Sequence, residues 1–187
     1  MKTILVTGAA GFIGQHLVLK LKQLGCNVVA LTSADGDIAD FATLTKINEM
    51  KIDFVFHLAA RTYVPDAWCK PIDFQRVNVI GTVNILDLCR QREIPLTYLS
   101  AYLYGIPSSL PINEDHNIEP NNPYALSKSL AESACRFYAE HFDVPVTIIR
   151  PFNIFGSGQK GYFLIPEIFR QVQANKPIYL KDLTPCR

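Results

Sequence analysis

In the stretch NNPYALSKSLAESA, residues 121–134, a tyrosine and a lysine stand four positions apart, at Tyr124 and Lys128. Four residues is slightly more than one helical turn, so on a helix the two side chains share a face and their polar heads can converge. A phenol ordinarily titrates at about pH 10, and a cation beside it favours the ionised form. Such a pair can take a proton from a hydroxyl or return one to a carbonyl. An exposed Tyr and Lys on an ordinary helix show the same spacing, so the surroundings decide the chemistry.

A second candidate lies at the start of the chain. VTGAAGFIG places Gly8, Gly11 and Gly14 between a β-branched run and an amphipathic segment. Glycine permits a sharp turn, close approach of backbone to a pyrophosphate, and tight packing of helix on strand. The first amides of the following helix, at Phe12 and Ile13, then face the phosphates. The spacing is Gly-x-x-Gly-x-x-Gly, one residue longer at its start than the standard fingerprint. A tight turn accounts for one glycine; three in this context point to a dinucleotide.

The elements that must position these residues follow from periodicity. Short apolar runs occur at 3–7, 27–31, 53–59, 96–100 and 146–150. Between them lie segments of helical period, as where Ile13, Leu17, Leu21 and Leu24 recur at spacings of four and three. Similar helices are predicted over 40–50, 73–92 and 123–142, with Pro123 suited to a first turn. Near-continuous apolar strands alternating with helices predict an α/β fold with a doubly wound parallel sheet of the Rossmann type. The long irregular stretch 104–123 follows a strand's carboxyl end, where open α/β sheets bind ligands.

Composition narrows the function classes. The 187 residues are 49% hydrophobic and 19% charged, enough for one domain with a real core. A net charge of +1 offers no electrostatic case for nucleic acid. No apolar run approaches the roughly 20 residues of a membrane span, and glycines cut the N-terminal apolar patch too early for a signal peptide, so a cytoplasmic protein is expected. Cys26, Cys69, Cys89, Cys135 and Cys186 form no Cys-x-x-Cys pair, and His16, His57, His116 and His141 show no ligand spacing. Buried free thiols are expected and a metal site is not.

Five motifs in order, TGAAGFIG, HLAA (57–60), NVIGTVNIL (78–86), YALSK (124–128) and RPFNIFGSGQ (150–159), resemble the extended short-chain dehydrogenase/reductases of the NAD-dependent epimerase/dehydratase family. Within it the chain is similar to the nucleotide-sugar epimerase, dehydratase and 4-keto-reductase branch. RTYVPDA and RPFNIFGSGQK resemble the GDP-4-keto-6-deoxymannose reductases. The resemblance implies NAD or NADP as cofactor, a nucleotide-linked sugar as substrate, and C4 epimerisation or 4-keto reduction. It also implies a homodimer paired through the helices at 73–92 and 123–142, whose Leu86, Leu88, Leu130 and Phe137 are equally explained by core burial.

The resemblance assigns roles residue by residue. Tyr124 becomes the acid/base, and Lys128 its electrostatic partner and a ligand of the nicotinamide ribose. A hydroxyl residue completes the site: counting back from Tyr104-Gly105 selects Ser100, whereas counting forward from the strand reaches Ala101. Ser100 is preferred because otherwise the site lacks its hydroxyl, and it would also touch substrate. The Asp-Glu pair of the family's dehydratases is absent here, which argues against dehydration. Leu58, Ala59 and Ala60 would run along the cofactor, although small residues also suit a strand end. Asp37 and Ile38 match the adenine-contacting pair. Asn78 would support the site through water or backbone, or serve as an N-cap. Asn153 would touch the substrate phosphate, or be an ordinary loop amide.

Two departures stand out. NAD-preferring relatives end the second strand with an acid that grips the adenosine ribose; here Thr32 and Ser33 stand there, with Asp35 further on. That admits NADP, yet no arginine stands nearby, so the preference stays open. The short spacing to GDIAD predicts loss of the family's usual next helix and third strand. Relatives also continue past LKDLTPCR into a smaller substrate region. The expectation is therefore a Rossmann-type domain over 1–187, with a substrate region beginning at about 156 and largely missing. A rival reading is a dinucleotide-binding regulatory module without catalysis, favoured by Ala101 and the early C-terminus and opposed by Tyr124 and Lys128.

Overall fold

The computed structural model describes residues 1–47, 49–107 and 109–180. The chain forms two compact units, Met1–Phe152 and Asn153–Arg187. In the first, strands β1 (Thr3–Thr7), β2 (Asn27–Leu31), β3 (Phe54–His57), β4 (Leu96–Leu99) and β5 (Val146–Ile149) make a sheet of order β2-β1-β3-β4-β5. All neighbours are parallel. The chain winds from β1 outward to β2, then returns to β3 on the other side of β1. The switch point, where such sheets bind ligands, therefore lies between β1 and β3.

Alternation along β1 divides the core. Ile4 and Val6 point to one face, where Leu21 of α1 (Phe12–Gln23) covers them. Leu5 points to the other, with Val55, Leu96 and Tyr98 under α5 (Gly81–Arg92) and α6 (Pro123–His141). Leu5, Val55, Ile85 and Leu86 are fully buried there, and each contributes about 1.5–3 kcal/mol of burial free energy. Helices on both faces make this the doubly wound sheet predicted.

Local boundaries depart from the periodicity in instructive ways. The helix predicted over 40–50 is one turn, α2 (Ala42–Thr45). Among the described residues no strand lies between β2 and β3, in keeping with the expected loss. The helix predicted over 73–92 is a composite: α3 (Val64–Cys69), unforeseen, leads into α4 (Pro71–Gln75), then a π-turn at Arg76–Ile80, then α5. Of the thiols, Cys89 and Cys135 are buried, but Cys69 is exposed and Cys26 intermediate, correcting the expectation of uniform burial; Cys186 lies outside the described residues. In the second unit α7 (Leu164–Gln173) is anchored to the segment after it, where the Gln171 amide donates to Tyr179 O (3.0 Å) and accepts from Tyr179 N (2.6 Å). Among the described residues no helix is long and apolar enough to cross a membrane.

Candidate active site

The glycine loop is closed by its own backbone and by β3's continuation. Gly8 adopts φ +68°, and a Cβ there would meet Ala59 N at 2.7 Å and Leu58 C at 2.8 Å. A Cβ on Gly14 would meet Gly8 O at 2.2 Å, so helix and loop touch backbone to backbone. Gly11 is the N-cap of α1 and offers no side chain to the helix amides. The first amides of α1, at Phe12 and Ile13, therefore receive no side-chain cap from it, which suits a helix start that binds an anion. The loop is also tied to β2, since Ala9 N donates to Leu31 O at 3.2 Å.

At the neighbouring strand ends stands α6. Asn122 caps it by accepting from Ala125 N (2.9 Å), and Pro123 occupies the first turn as the sequence suggested. Tyr124 and Lys128 follow on consecutive turns. Tyr124 lies with Ala101, Leu103, Ala125 and Ile118 in an apolar cluster, edge-on to Phe74 at 6.4 Å. Burial pushes its phenol up to about 12. Lys128 is only 3% exposed; its Nζ donates to Leu99 O at 2.6 Å and sits 4.3 Å over the Tyr98 ring. Burial brings this ammonium down to about 7, against the opposing influence of Cys135 and Glu132. In this structure, then, the lysine head is held by the end of β4, and Tyr124 is governed by burial.

Asn78 is not an N-cap. It lies inside the π-turn, buried, and clamps three elements. Its Oδ1 accepts from Arg61 N (2.8 Å), while its Nδ2 donates to Arg61 O (3.0 Å) and Ser127 Oγ (2.8 Å). Ser127 in turn donates to Tyr124 O at 2.7 Å. The segment following Ala59-Ala60 is thus tied to the first turns of α6.

A buried relay runs beside this clamp. Thr82 Oγ donates its proton to Asn78 O (2.6 Å), so it must accept from His57 Nε2 (3.0 Å). The His57 Nδ1 then accepts from Thr7 Oγ (2.7 Å), which itself accepts from Ala59 N (3.2 Å). His57 is therefore a neutral imidazole of fixed tautomer, its pKa brought down to about 3 by burial and by Lys128. One turn further along the same face of α6, Glu132 receives Arg150 through Nε (2.9 Å) and Nη2 (2.7 Å), while Arg150 Nη1 reaches Tyr104 OH (2.8 Å) and Glu114 O (3.3 Å). That pair pins the long loop after β4 to the helix carrying Tyr124 and Lys128. Burial would raise the Glu132 carboxyl, but the hydrogen bonds from Arg150 hold it below its ordinary value.

The remaining expected positions divide. Ser100 is buried; its Oγ lies near Glu132 and Tyr98 OH lies near Thr82, but neither contact reaches hydrogen-bond geometry. Ala101, the other register, is the one packed in the Tyr124 cluster. Asp37 is engaged by Arg76 (2.8 Å) and Ala39 N (2.9 Å), and the Ile38 side chain is buried against Gly81. Leu58, Ala59 and Ala60 are half-buried beside the glycine loop, and Thr32 follows the last residue of β2. Asn153 is exposed and belongs to the second unit. Sequence reasoning passed over Thr7, His57, Arg61, Thr82, Ser127, Glu132 and Arg150. Two of these carried a signal: Thr82 stands four residues after Asn78, the back-bonding distance on a helix, and Glu132 repeats the Tyr124–Lys128 spacing once more.

Residues 4–187 match the model of the NAD dependent epimerase/dehydratase family. The chain is 32% identical to a putative UDP-glucose 4-epimerase of Methanocaldococcus jannaschii, covering 96% of this chain and 66% of that one. It is similar to the solved structure of UDP-glucose 4-epimerase from Brucella ovis in complex with NAD, with a TM-score of 0.87, 30% identity, and 94% of this chain covered against 62% of that one. RMD from Pseudomonas aeruginosa complexed with NADPH gives a TM-score of 0.83 and 34% identity, over 92% of this chain and 61% of that one. The chain thus spans between 61% and 66% of the length of these three proteins.

Proposed function

The chain belongs to the NAD dependent epimerase/dehydratase family, and from that premise we propose that it is an NAD(P)-dependent enzyme of nucleotide-linked sugars, epimerising C4 or reducing a 4-keto group. One observation carries the reading. The uncapped glycine loop after β1 and the ammonium of Lys128, held at Leu99 O, meet the carboxyl ends of strands of one parallel sheet. That edge is where a doubly wound sheet takes a dinucleotide. Gly8, Gly11 and Gly14 leave room that a Cβ would fill, and the amides of Phe12 and Ile13 would hold the pyrophosphate. Thr32, Asp37 and Ile38 would lie toward the adenosine, and Leu58, Ala59, Ala60 and Asn78 along the cofactor's course.

The nicotinamide supplies hydride exchange with the sugar carbon. Tyr124 manages the proton on the sugar oxygen. With its phenol at about 12 it is protonated at neutral pH, so it stands ready to donate to a carbonyl oxygen. Taking a proton requires that value to fall, which the charge of Lys128 would bring about from the next turn. Lys128 would also bind the nicotinamide ribose. Ser100 would orient the reacting oxygen, a role consistent with a buried hydroxyl whose contact with Glu132 falls short of hydrogen-bond geometry. Asn153 and the second unit, from about residue 156, would begin the substrate-binding region. A cytoplasmic homodimer paired through α5 and α6 belongs to the same reading. Leu130 and Phe137 of α6 are 45% and 51% exposed, whereas Leu86 and Leu88 are buried in the core.

Tyr124→Phe tests the assignment. Turnover of a nucleotide-linked sugar, followed by nicotinamide absorbance or product analysis, should fall by about 100-fold or more while dinucleotide binding persists. Unchanged turnover would remove Tyr124 from the chemistry. A second reading, dinucleotide binding without catalysis, draws on Ala101 in the Tyr124 cluster. It predicts cofactor affinity without turnover in the unaltered protein.

A further inference from the structure

The lysine of α6 is held by more than a hydrogen bond. Lys128 Nζ donates to Leu99 O and also stands over the ring of Tyr98, 4.3 Å from its centroid. The face of an aromatic ring is negative and attracts a cation, the more strongly where water is excluded. Both side chains are buried. The ring is fixed in place as well. On β4, Leu96 and Tyr98 alternate onto the face covered by α5 and α6. The Tyr98 backbone pairs with His57 of β3 and Ile148 of β5, and its ring stacks on the His57 ring at 5.8 Å.

We propose that Tyr98 is a positioning residue for Lys128, its ring face holding the buried ammonium in the charged form beside Leu99 O. The inference rests on the proposed function and deepens it: the charge that would help Tyr124 give up its proton is maintained from the neighbouring strand. Burial works against that charge. On α6 itself, Glu132 and Cys135 oppose the loss of the proton, but Glu132 is already engaged by Arg150 and Arg136, and burial keeps the Cys135 thiol neutral. Tyr124, His57 of β3 and Cys89 of α5 are neutral too. The other charges on elements packed against α6 are exposed or spent. Asp66 of α3 is exposed, Asp73 of α4 pairs with Arg61, Arg76 of the π-turn pairs with Asp37, and Asp87 and Arg90 of α5 pair with each other. β5 carries no titratable side chain. The ring face therefore offsets part of the burial cost without a counter-ion.

The test is NMR titration of the Lys128 Cε signal in cofactor-free protein carrying isotope-labelled lysine, the signal being the one that Lys128→Met lacks. Tyr98→Phe keeps the ring face and should leave the midpoint where it is. Tyr98→Leu removes the face, whereas trifluorophenylalanine at the same position keeps the ring and drains its face of negative charge. In both, the midpoint should fall by on the order of one pH unit, a tenfold change in the acid constant. A ring that serves only packing would let leucine move the midpoint and trifluorophenylalanine leave it unchanged; that result, or a midpoint that rises on fluorination, would overturn the role of Tyr98. A fall as large in Tyr98→Phe would trace the effect to the hydroxyl and overturn it equally. Because fluorination preserves the packing, the comparison stands even where Tyr98→Leu does not fold. None of these results removes Tyr124 or Lys128 from the proposed chemistry, which Tyr124→Phe decides separately.

Discussion

Replacing Lys128 by methionine should change how stability depends on pH, and the sign follows from the burial of the ammonium. The group titrates at about 7 in the folded chain against an ordinary 10.5. Between these values the unfolded chain holds the proton and the folded chain does not, so folding releases a proton and stability rises with pH. The contribution is complete above 10.5 and is lost as pH falls through 7. Its slope approaches about 1.4 kcal/mol per pH unit. Over pH 7 to 9 it amounts to about 2 kcal/mol, because the folded group is still half protonated at the lower limit. The window ends there, since Cys89 and Cys135, raised by burial from 9.0, act in the opposite direction once the unfolded thiols ionise. His57, titrating at about 3 against 6.5 unfolded, contributes only below that range. Urea denaturation of cofactor-free protein at pH 7, 8 and 9 measures the effect. The native chain should gain about 2 kcal/mol relative to Lys128→Met across the series. Parallel profiles for the two proteins would mean that the ammonium is solvated when folded, and the position assigned to it beneath Leu99 would be wrong.

Asn78→Ala removes one buried and two part-buried hydrogen bonds and strands the Arg61 amide; a loss of about 2–4 kcal/mol in denaturant midpoint experiments is expected. Hydrogen exchange should rise locally at 59–61 and in the first turns of α6, and a uniform rise would instead indicate general loosening. Gly14→Ala puts a methyl 2.2 Å from Gly8 O and 2.9 Å from Ala9 Cα, so about 1–3 kcal/mol of stability should go. Dinucleotide affinity should fall with it by titration, and a variant that binds as tightly as the native chain would exclude the loop from the site.

What the sequence disclosed was what is local. Asn122-Pro123 ahead of an apolar period marks a helix start because cap, first turn and face all lie within ten residues. The three glycines mark the loop because each solves a steric problem with a neighbour in sequence or in the adjoining strand. The π-turn escaped notice because an inserted residue inside an unbroken helical run leaves the apolar period nearly intact, so Asn78 looked like a boundary residue. The segment 40–50 has helical period, but its described residues form one helical turn, Ala42–Thr45. The Thr7–His57–Thr82 relay spans 50 and then 25 residues, and no spacing rule connects side chains brought together by parallel strands. Asp35 was legible as an acid near the strand end, but its return to Thr32, whose N and Oγ both donate to it, depends on a turn whose geometry composition alone does not specify.

The distribution of buried polar groups bears on where the chemistry sits. Thr7, His57, Asn78, Thr82, Ser127, Lys128 and Glu132 are all buried on the face of the sheet shared by α5 and α6. An apolar set of the same volume would be easier to bury, because each of these groups costs desolvation free energy unless it is hydrogen-bonded. Most of them are, through the relay, the clamp and the Arg150 pair. Among the described residues of the first unit two groups remain unmet, Tyr98 OH and Ser100 Oγ. They flank Leu99, whose carbonyl receives the lysine. The unmet hydroxyls of the first unit thus lie on either side of the residue whose carbonyl holds the buried Lys128 ammonium. Folding alone gives no reason to concentrate unmet donors at that point, whereas a site that must engage a ligand's hydroxyls and a sugar oxygen does.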